Sequence, residues 1–153
     1  MRNSFRFFFF LTAALLFVGV GAVNALRGAS PAADDITRGA LLYDKWYAAL
    51  GQPAPAGNMP LWSAQATNSR SGPDTWRCAE CHGWDYKGKD GAYGSGSHYT
   101  GFPGVYGIQA DVVAALKGAT DPGHDFSAYL DDASLNQLAA FIDSGLIDDS
   151  QYI

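Results

Sequence analysis

Cysteine, methionine and basic residues are scarce in this chain of 153 residues. It has two cysteines, which excludes a framework of several disulfides, and one of its two methionines is the initiator. Ten basic residues stand against fifteen acidic ones, giving a net charge of -5, which argues against nucleic acid as a partner. No segment shows sustained strand alternation, so we predict a mostly helical domain with long loops.

The two cysteines both lie in the sequence Cys78-Ala79-Glu80-Cys81-His82. This spacing is typical of a c-type haem attachment site. Two thiols three positions apart can add to the two vinyl groups of one haem, and the histidine that follows can bind the iron. We therefore predict one covalently attached haem c on Cys78 and Cys81, with His82 as the proximal iron ligand.

A C-x-x-C sequence can also form a redox dithiol, half of a zinc site or a short-range disulfide. A zinc site usually has four ligands, and the remaining histidines, His98 and His124, are not paired at a zinc-finger spacing. A thioredoxin-like dithiol usually follows a strand, whereas residues 69–77 are rich in turn-forming residues. These two patterns favour haem attachment.

The N-terminus has the pattern of an export signal. Arg2 and Arg6 precede an apolar run over residues 7–23, and small residues end it at Ala25. We predict a signal peptide at residues 1–25, a single domain at 26–153, and a periplasmic or otherwise extracytoplasmic location. The apolar run is near the lower limit of about 17 residues for a membrane span, so an uncleaved membrane anchor through residues 7–23 is the alternative.

Three helices are predicted from hydrophobic periodicity and end signals. The first runs from about Thr37 to Leu50 and stops at Gly51. The second is short, from Asp111 to Lys117, and the third begins with a capping box at Ser134 and ends near Gly145. Between the first two lies a glycine-rich loop with six aromatic residues, which we expect to cover the haem: Trp84, Tyr86, Tyr93, Tyr99, Phe102 and Tyr106.

The order of these features resembles a class I cytochrome c over most of residues 36–147. The resemblance implies a helical fold around the haem, in which the first and last helices cross through Gly39, Tyr43 and Phe141. It also implies that the carbonyl of Pro103 accepts a hydrogen bond from His82, which would orient the histidine ring as an iron ligand.

Two departures from the family pattern affect these expectations. Residues 51–77 form an insertion before the haem motif, which we expect to be an ordered, extended surface segment that wraps the haem side or meets a partner. The family's distal methionine is also missing, and its position aligns with His124. We predict His124 as the sixth iron ligand; Met59 is the first alternative, and His98 or an open site is the next.

The predicted function is extracytoplasmic transfer of single electrons between a redox protein donor and acceptor, without enzyme activity. The exchange surface would be the haem edge near Cys78 and Cys81, ringed by Arg77, Lys87 and Lys89; Arg70 is the fourth basic residue within twenty residues around the motif. Two alternatives are a permanent cytochrome subunit of a larger oxidoreductase complex and a haem enzyme or sensor with an open distal site. No acid/base or substrate motif points to the last of these.

Overall fold

A computed structural model describes residues 31–152, and the predicted signal peptide and anchor lie outside them. Within that range the chain is mostly helical, as predicted, and forms no β-strand beyond isolated bridges. It has four α-helices: α1 (Ala33–Ala49), α2 (Cys78–His82), α3 (Val112–Leu116) and α4 (Asp132–Ser144). Five short 3-10 helices lie between and after them: Pro60–Ala64, Gly72–Trp76, Gly96–His98, Pro122–His124 and Asp149–Gln151. None of the described helices is long and apolar enough to cross a membrane.

Helix α1 begins at Ala33 rather than at the predicted Thr37. The two acidic residues that were expected to precede it, Asp34 and Asp35, lie in its first turn, where negative charge interacts favourably with the helix dipole. The helix ends as predicted, since Gly51 adopts a positive φ of 66° that favours glycine.

The predicted capping box at the start of α4 is wrong. The N-cap is Asp131, whose carboxylate accepts a hydrogen bond from the backbone N–H of Ser134 at 2.8 Å. Ser134 therefore lies inside the first turn. Gln137 does not reach back to it but donates to Asp35 of α1 at 3.2 Å. Asp131 is a strong capping residue too, and its earlier position extends the helix by one turn.

Helices α1 and α4 pack against each other at Gly39, the crossing point that the resemblance implied. A methyl group at Gly39 would lie 2.1 Å from the carbonyl oxygen of Gln137 and 2.6 Å from Cβ of Phe141. Tyr43, one turn further along α1, packs on the Phe141 ring at a centroid distance of 5.6 Å. The absence of a side chain at Gly39 lets the two helix backbones approach this closely.

The segment 51–77 is ordered, as expected, and most of its residues are exposed. Its residues Met59, Trp62 and Trp76 are buried, and Trp62 and Trp76 each donate an indole hydrogen bond to a backbone carbonyl. The carbonyl of Trp76 accepts a further bond from the indole of Trp46 in α1, at 2.9 Å. Met59 and Trp76 of this segment therefore belong to the hydrophobic core, together with Trp46 of α1.

Candidate functional site

The cysteines and His82 lie on the short helix α2, which begins directly after the 3-10 helix Gly72–Trp76. Helix α2 ends at Gly83, whose φ of 82° reverses the chain. Both cysteines are half-buried, and both line the same cavity as His82. The motif thus presents two sulfurs and one imidazole to a single space.

The state of the thiols argues against a redox dithiol. Burial raises the pKa of Cys78 and of Cys81 to about 12. Reactive cysteines in thiol–disulfide exchange have a lowered pKa, because the thiolate is the attacking species. The two thiols of α2 therefore lack the lowered pKa that a redox dithiol needs.

His82 is oriented by a loop far away in sequence. Its Nδ1 lies 2.7 Å from the carbonyl oxygen of Pro103, the hydrogen bond that the resemblance implied. Because a carbonyl only accepts, Nδ1 carries the proton and Nε2 keeps a lone pair for a metal. Burial lowers the pKa of His82 to about 4, an effect that nearby His124 increases and the Pro103 carbonyl opposes. At neutral pH the ring is therefore uncharged, as an iron ligand must be.

Two glycines bring the Pro103 loop to this position. Gly88 and Pro103 form an isolated antiparallel bridge. A methyl group at Gly88 would lie 2.6 Å from the backbone nitrogen of Gly104, and one at Gly104 would lie 2.4 Å from the carbonyl oxygen of Tyr86. Neither position has room for a side chain. Gly88 and Gly104 therefore allow the backbone of the loop to come close enough for Pro103 to reach His82.

His124 lies on the 3-10 helix Pro122–His124, close to His82. The centroids of the two imidazole rings are 6.1 Å apart, and the ring planes are nearly perpendicular, at 87°. His124 Nδ1 is 3.2 Å from the carbonyl oxygen of Ala115 in α3. His124 therefore also donates from Nδ1 to a backbone carbonyl and keeps its Nε2 lone pair free.

The two rings line one cavity and, with their Nε2 lone pairs, would be the residues that hold an iron ion there. Both histidines also have the hydrogen bond from the second ring nitrogen that metal-binding histidines usually make. The donor set therefore fits a bis-histidine iron.

The cavity beside these rings has a volume of about 320 Å³, within the range of small-molecule and cofactor sites, about 300–1,000 Å³. Its walls are mostly apolar and come from residues spread between Tyr43 in α1 and Ile142 in α4. They include side chains that sequence reasoning did not assign to the site: Leu61, Val105, Ile108, Val112, Leu116, Phe126, Leu138 and Ile142. Val112 and Leu116 have the i, i+4 spacing of one helix face, and so do Leu138 and Ile142. This periodicity is the sequence pattern that could have identified them as wall residues.

The expectation that the aromatic loop residues cover the cavity is wrong for five of the six. In the described part of the chain, Phe102 alone among them lines it. Tyr86 packs instead on Tyr43 and Phe141, and Trp84 and Tyr106 are exposed. The contribution of these rings was overestimated because the segment 51–77 and helices α3 and α4 supply most of the apolar wall.

The two other candidate ligands are in different positions. Met59 is buried and lines the cavity, and its backbone N–H donates to Thr75. His98 does not line the cavity. Its Nε2 is 2.7 Å from Arg70 Nη2, and its ring packs on Tyr93 at 4.7 Å. Met59 thus remains an alternative iron ligand to His124. His98 contacts Arg70 and Tyr93 outside the cavity, so its position does not suit an iron ligand.

The basic residues near the motif are each paired with a carboxylate. Arg70 pairs with Glu80 and Arg77 with Asp44, while Lys87 pairs with Asp149 and Lys89 with Asp90. The expected basic surface around the cavity is therefore largely neutralised, which weakens its value for attracting an acidic partner.

Within residues 31–152, no three or more histidine, cysteine and acidic side chains are grouped as a metal cluster. This disfavours a structural zinc site, which takes four such ligands. No protein-family model, curated protein or solved structure matches the chain. Its function is therefore inferred from the site itself.

Proposed function

We propose that this chain is a monohaem c-type cytochrome with a fold like class I cytochrome c, and that it carries single electrons outside the cytoplasm. One observation carries the proposal. Two cysteines and two histidines line one apolar cavity, and the imidazole rings are 6.1 Å apart. Both Nδ1 atoms donate to backbone carbonyls, so both Nε2 atoms are available to iron.

Each residue of the site has a distinct task. Cys78 and Cys81 hold the haem covalently, so it is retained even when the iron changes charge. Pro103 and Ala115 fix the planes of the two histidine rings, which limits reorganisation at the ligands. The apolar walls exclude water and lower the local dielectric. When bound, the haem supplies an iron that alternates between the ferric and ferrous states.

If both His82 and His124 hold the iron, no coordination position would be left for a substrate. This supports an electron carrier over a haem enzyme or open-site sensor. A bis-histidine site also lacks the methionine ligand that raises the reduction potential in cytochromes c. Its donor and acceptor would be redox proteins that bind transiently, through the small interfaces typical of such encounters.

A permanent subunit of a larger oxidoreductase complex is the second candidate, favoured by one surface feature. An apolar groove lies between α1, α4 and the segment that follows the haem motif, lined among others by Ile36, Trp84 and Ile147. Trp84 is 52% exposed and Ile147 is 64% exposed. Large apolar side chains at one exposed site indicate protein contacts. Recovery of the protein in a fixed ratio with another chain after gentle purification would favour this candidate.

The proposal is tested by optical spectroscopy of protein exported from a host that attaches haem c. We expect a low-spin reduced spectrum with sharp α and β bands, no change on adding carbon monoxide, and a reversible titration with one electron per chain. A spectrum that shifts with carbon monoxide would contradict the closed site and support the open-site sensor or enzyme.

A further inference from the structure

A charged network lies behind the attachment motif, on residues that do not line the cavity. Its centre is Glu80, which stands between the two cysteines and is only 2% exposed. Glu80 Oε1 accepts a hydrogen bond from Asn68 Nδ2 at 2.9 Å, and Oε2 accepts one from Arg70 Nη1 at 3.2 Å. Arg70 Nε also lies 3.1 Å from Oε1. The buried carboxylate is thus fully paired.

The guanidinium of Arg70 is held from a second side by His98. Its Nη2 lies 2.7 Å from His98 Nε2. Because a guanidinium only donates, the histidine nitrogen must accept, which places its proton on Nδ1. His98 rests on the ring of Tyr93. Arg70 is therefore fixed against Glu80, although its side chain is 38% exposed.

The two charges of this pair are not equally screened. The carboxylate is almost fully buried and the guanidinium reaches solvent, so removing either changes the field at the motif, with opposite signs. A negative charge near a haem stabilises the ferric state, which carries one more positive charge than the ferrous state, and a positive charge does the reverse. Glu80 and His82 lie on the same short helix, α2, so the charge of Glu80 is held in a fixed position relative to the motif.

We propose that Arg70 and Glu80 set the reduction potential of the site, with Arg70 offsetting the field of the buried Glu80 carboxylate. Arg70 acts through Glu80 and touches neither cysteine sulfur nor the cavity, so it is a positioning residue. This inference rests on the proposed haem at Cys78 and Cys81. Glu80, between the two cysteines, would thus have a role in setting the potential. So would Asn68 and Arg70, which belong to the segment 51–77.

The test is potentiometric titration of the full holoprotein carrying Glu80→Gln, Arg70→Met, or both. Glu80→Gln should raise the potential and Arg70→Met should lower it, by up to a tenfold change in the ferric/ferrous equilibrium, about 59 mV for one electron. The double variant should lie between the two. The matched control is Lys117→Met, which breaks the more exposed ion pair with Asp132 and should leave the potential unchanged.

A purely structural role would loosen α2 in both single variants and move the potential in the same direction. Shifts of the same sign, or shifts no larger than that of Lys117→Met, would therefore overturn the inference. If Arg70→Met yields no holoprotein, the inference is tested with Glu80→Gln and Arg70→Lys. Glu80→Gln must then raise the potential, and Arg70→Lys must leave the potential near the wild-type value. A wild-type protein without covalent haem would instead overturn the proposed function.

Discussion

At the scale of single residues, the site depends on two imidazole rings whose protons are fixed by backbone carbonyls. The motif predicted Cys78, Cys81 and His82 from spacing alone, and only the resemblance pointed to Pro103. The bond from His124 to Ala115 could not be predicted, because a backbone carbonyl carries no side-chain signal. Met59 and His124 were both candidates in sequence, and the structure places both in the cavity wall.

His124→Ala should turn the spectrum high-spin and allow carbon monoxide to bind, because the variant loses the imidazole that lines the cavity beside His82. The measurement is the optical and paramagnetic-resonance spectrum of the purified protein. His98→Ala is the matched control and should keep the low-spin spectrum, since His98 does not line the cavity. A low-spin, carbon monoxide-insensitive His124→Ala protein would transfer the ligand assignment to Met59.

At the scale of elements, hydrophobic periodicity located the three main helices, and the errors lie at their starts. Helix α1 begins one turn early, and α4 has its N-cap at Asp131 rather than at Ser134. At α4, two capping residues close in sequence offer the same hydrogen-bonding chemistry, so sequence does not choose between them. Segment 51–77 is ordered, as predicted, but its hydrogen bond with Trp46 of α1 could not be predicted, because the two partners are distant in sequence and follow no period.

The α4 cap makes stability sensitive to acid. Hydrogen bonds from Ser134 lower the pKa of Asp131 below its ordinary value of 3.8. A carboxylate with a lowered folded-state pKa stabilises the fold above its unfolded pKa, and this contribution is lost as the pH falls through the folded value. Asp131→Asn should reduce the difference in denaturation midpoint between pH 5 and pH 3. An unchanged difference would show that the cap carries no pH-dependent stability.

Gly39→Ala should destabilise the holoprotein by about 2 kcal/mol, since overpacking costs about 1–3 kcal/mol. Alanine gains about 1 kcal/mol in helix propensity over glycine, but the added methyl group would meet the backbone oxygen of Gln137, which no rotamer change can move. The measurement is urea denaturation followed by circular dichroism. Thr37→Ala, at an exposed position of α1, should stay within about 0.5 kcal/mol of wild type. Equal stability of the two variants would contradict the tight crossing.

At the scale of the whole molecule, helices α1 and α4 pack together while the remaining segments surround a central apolar cavity. A domain of this size has a modest core, and this one has a cavity inside it. The sequence predicted a helical chain with a thin core from its length and composition. It did not predict which segments form the cavity walls, because that depends on contacts between residues far apart in the chain.

Cys81→Ala should therefore lose most of the holoprotein, because one thioether is removed and the chain without haem lacks sufficient core. The yield of coloured protein relative to wild type, in the same export host, measures this. A Cys81→Ala protein that accumulates at the wild-type level with full colour would show that Cys81 is not needed for haem retention.

The central claim is that one haem is bonded covalently to Cys78 and Cys81. The most direct measurement is extraction of the exported protein with acidified acetone, which removes haem that is held only by ligation and packing. We predict that the colour remains with the polypeptide and that its mass exceeds the chain mass by one haem. A colourless protein, or pigment that passes entirely into the acetone, would contradict the account.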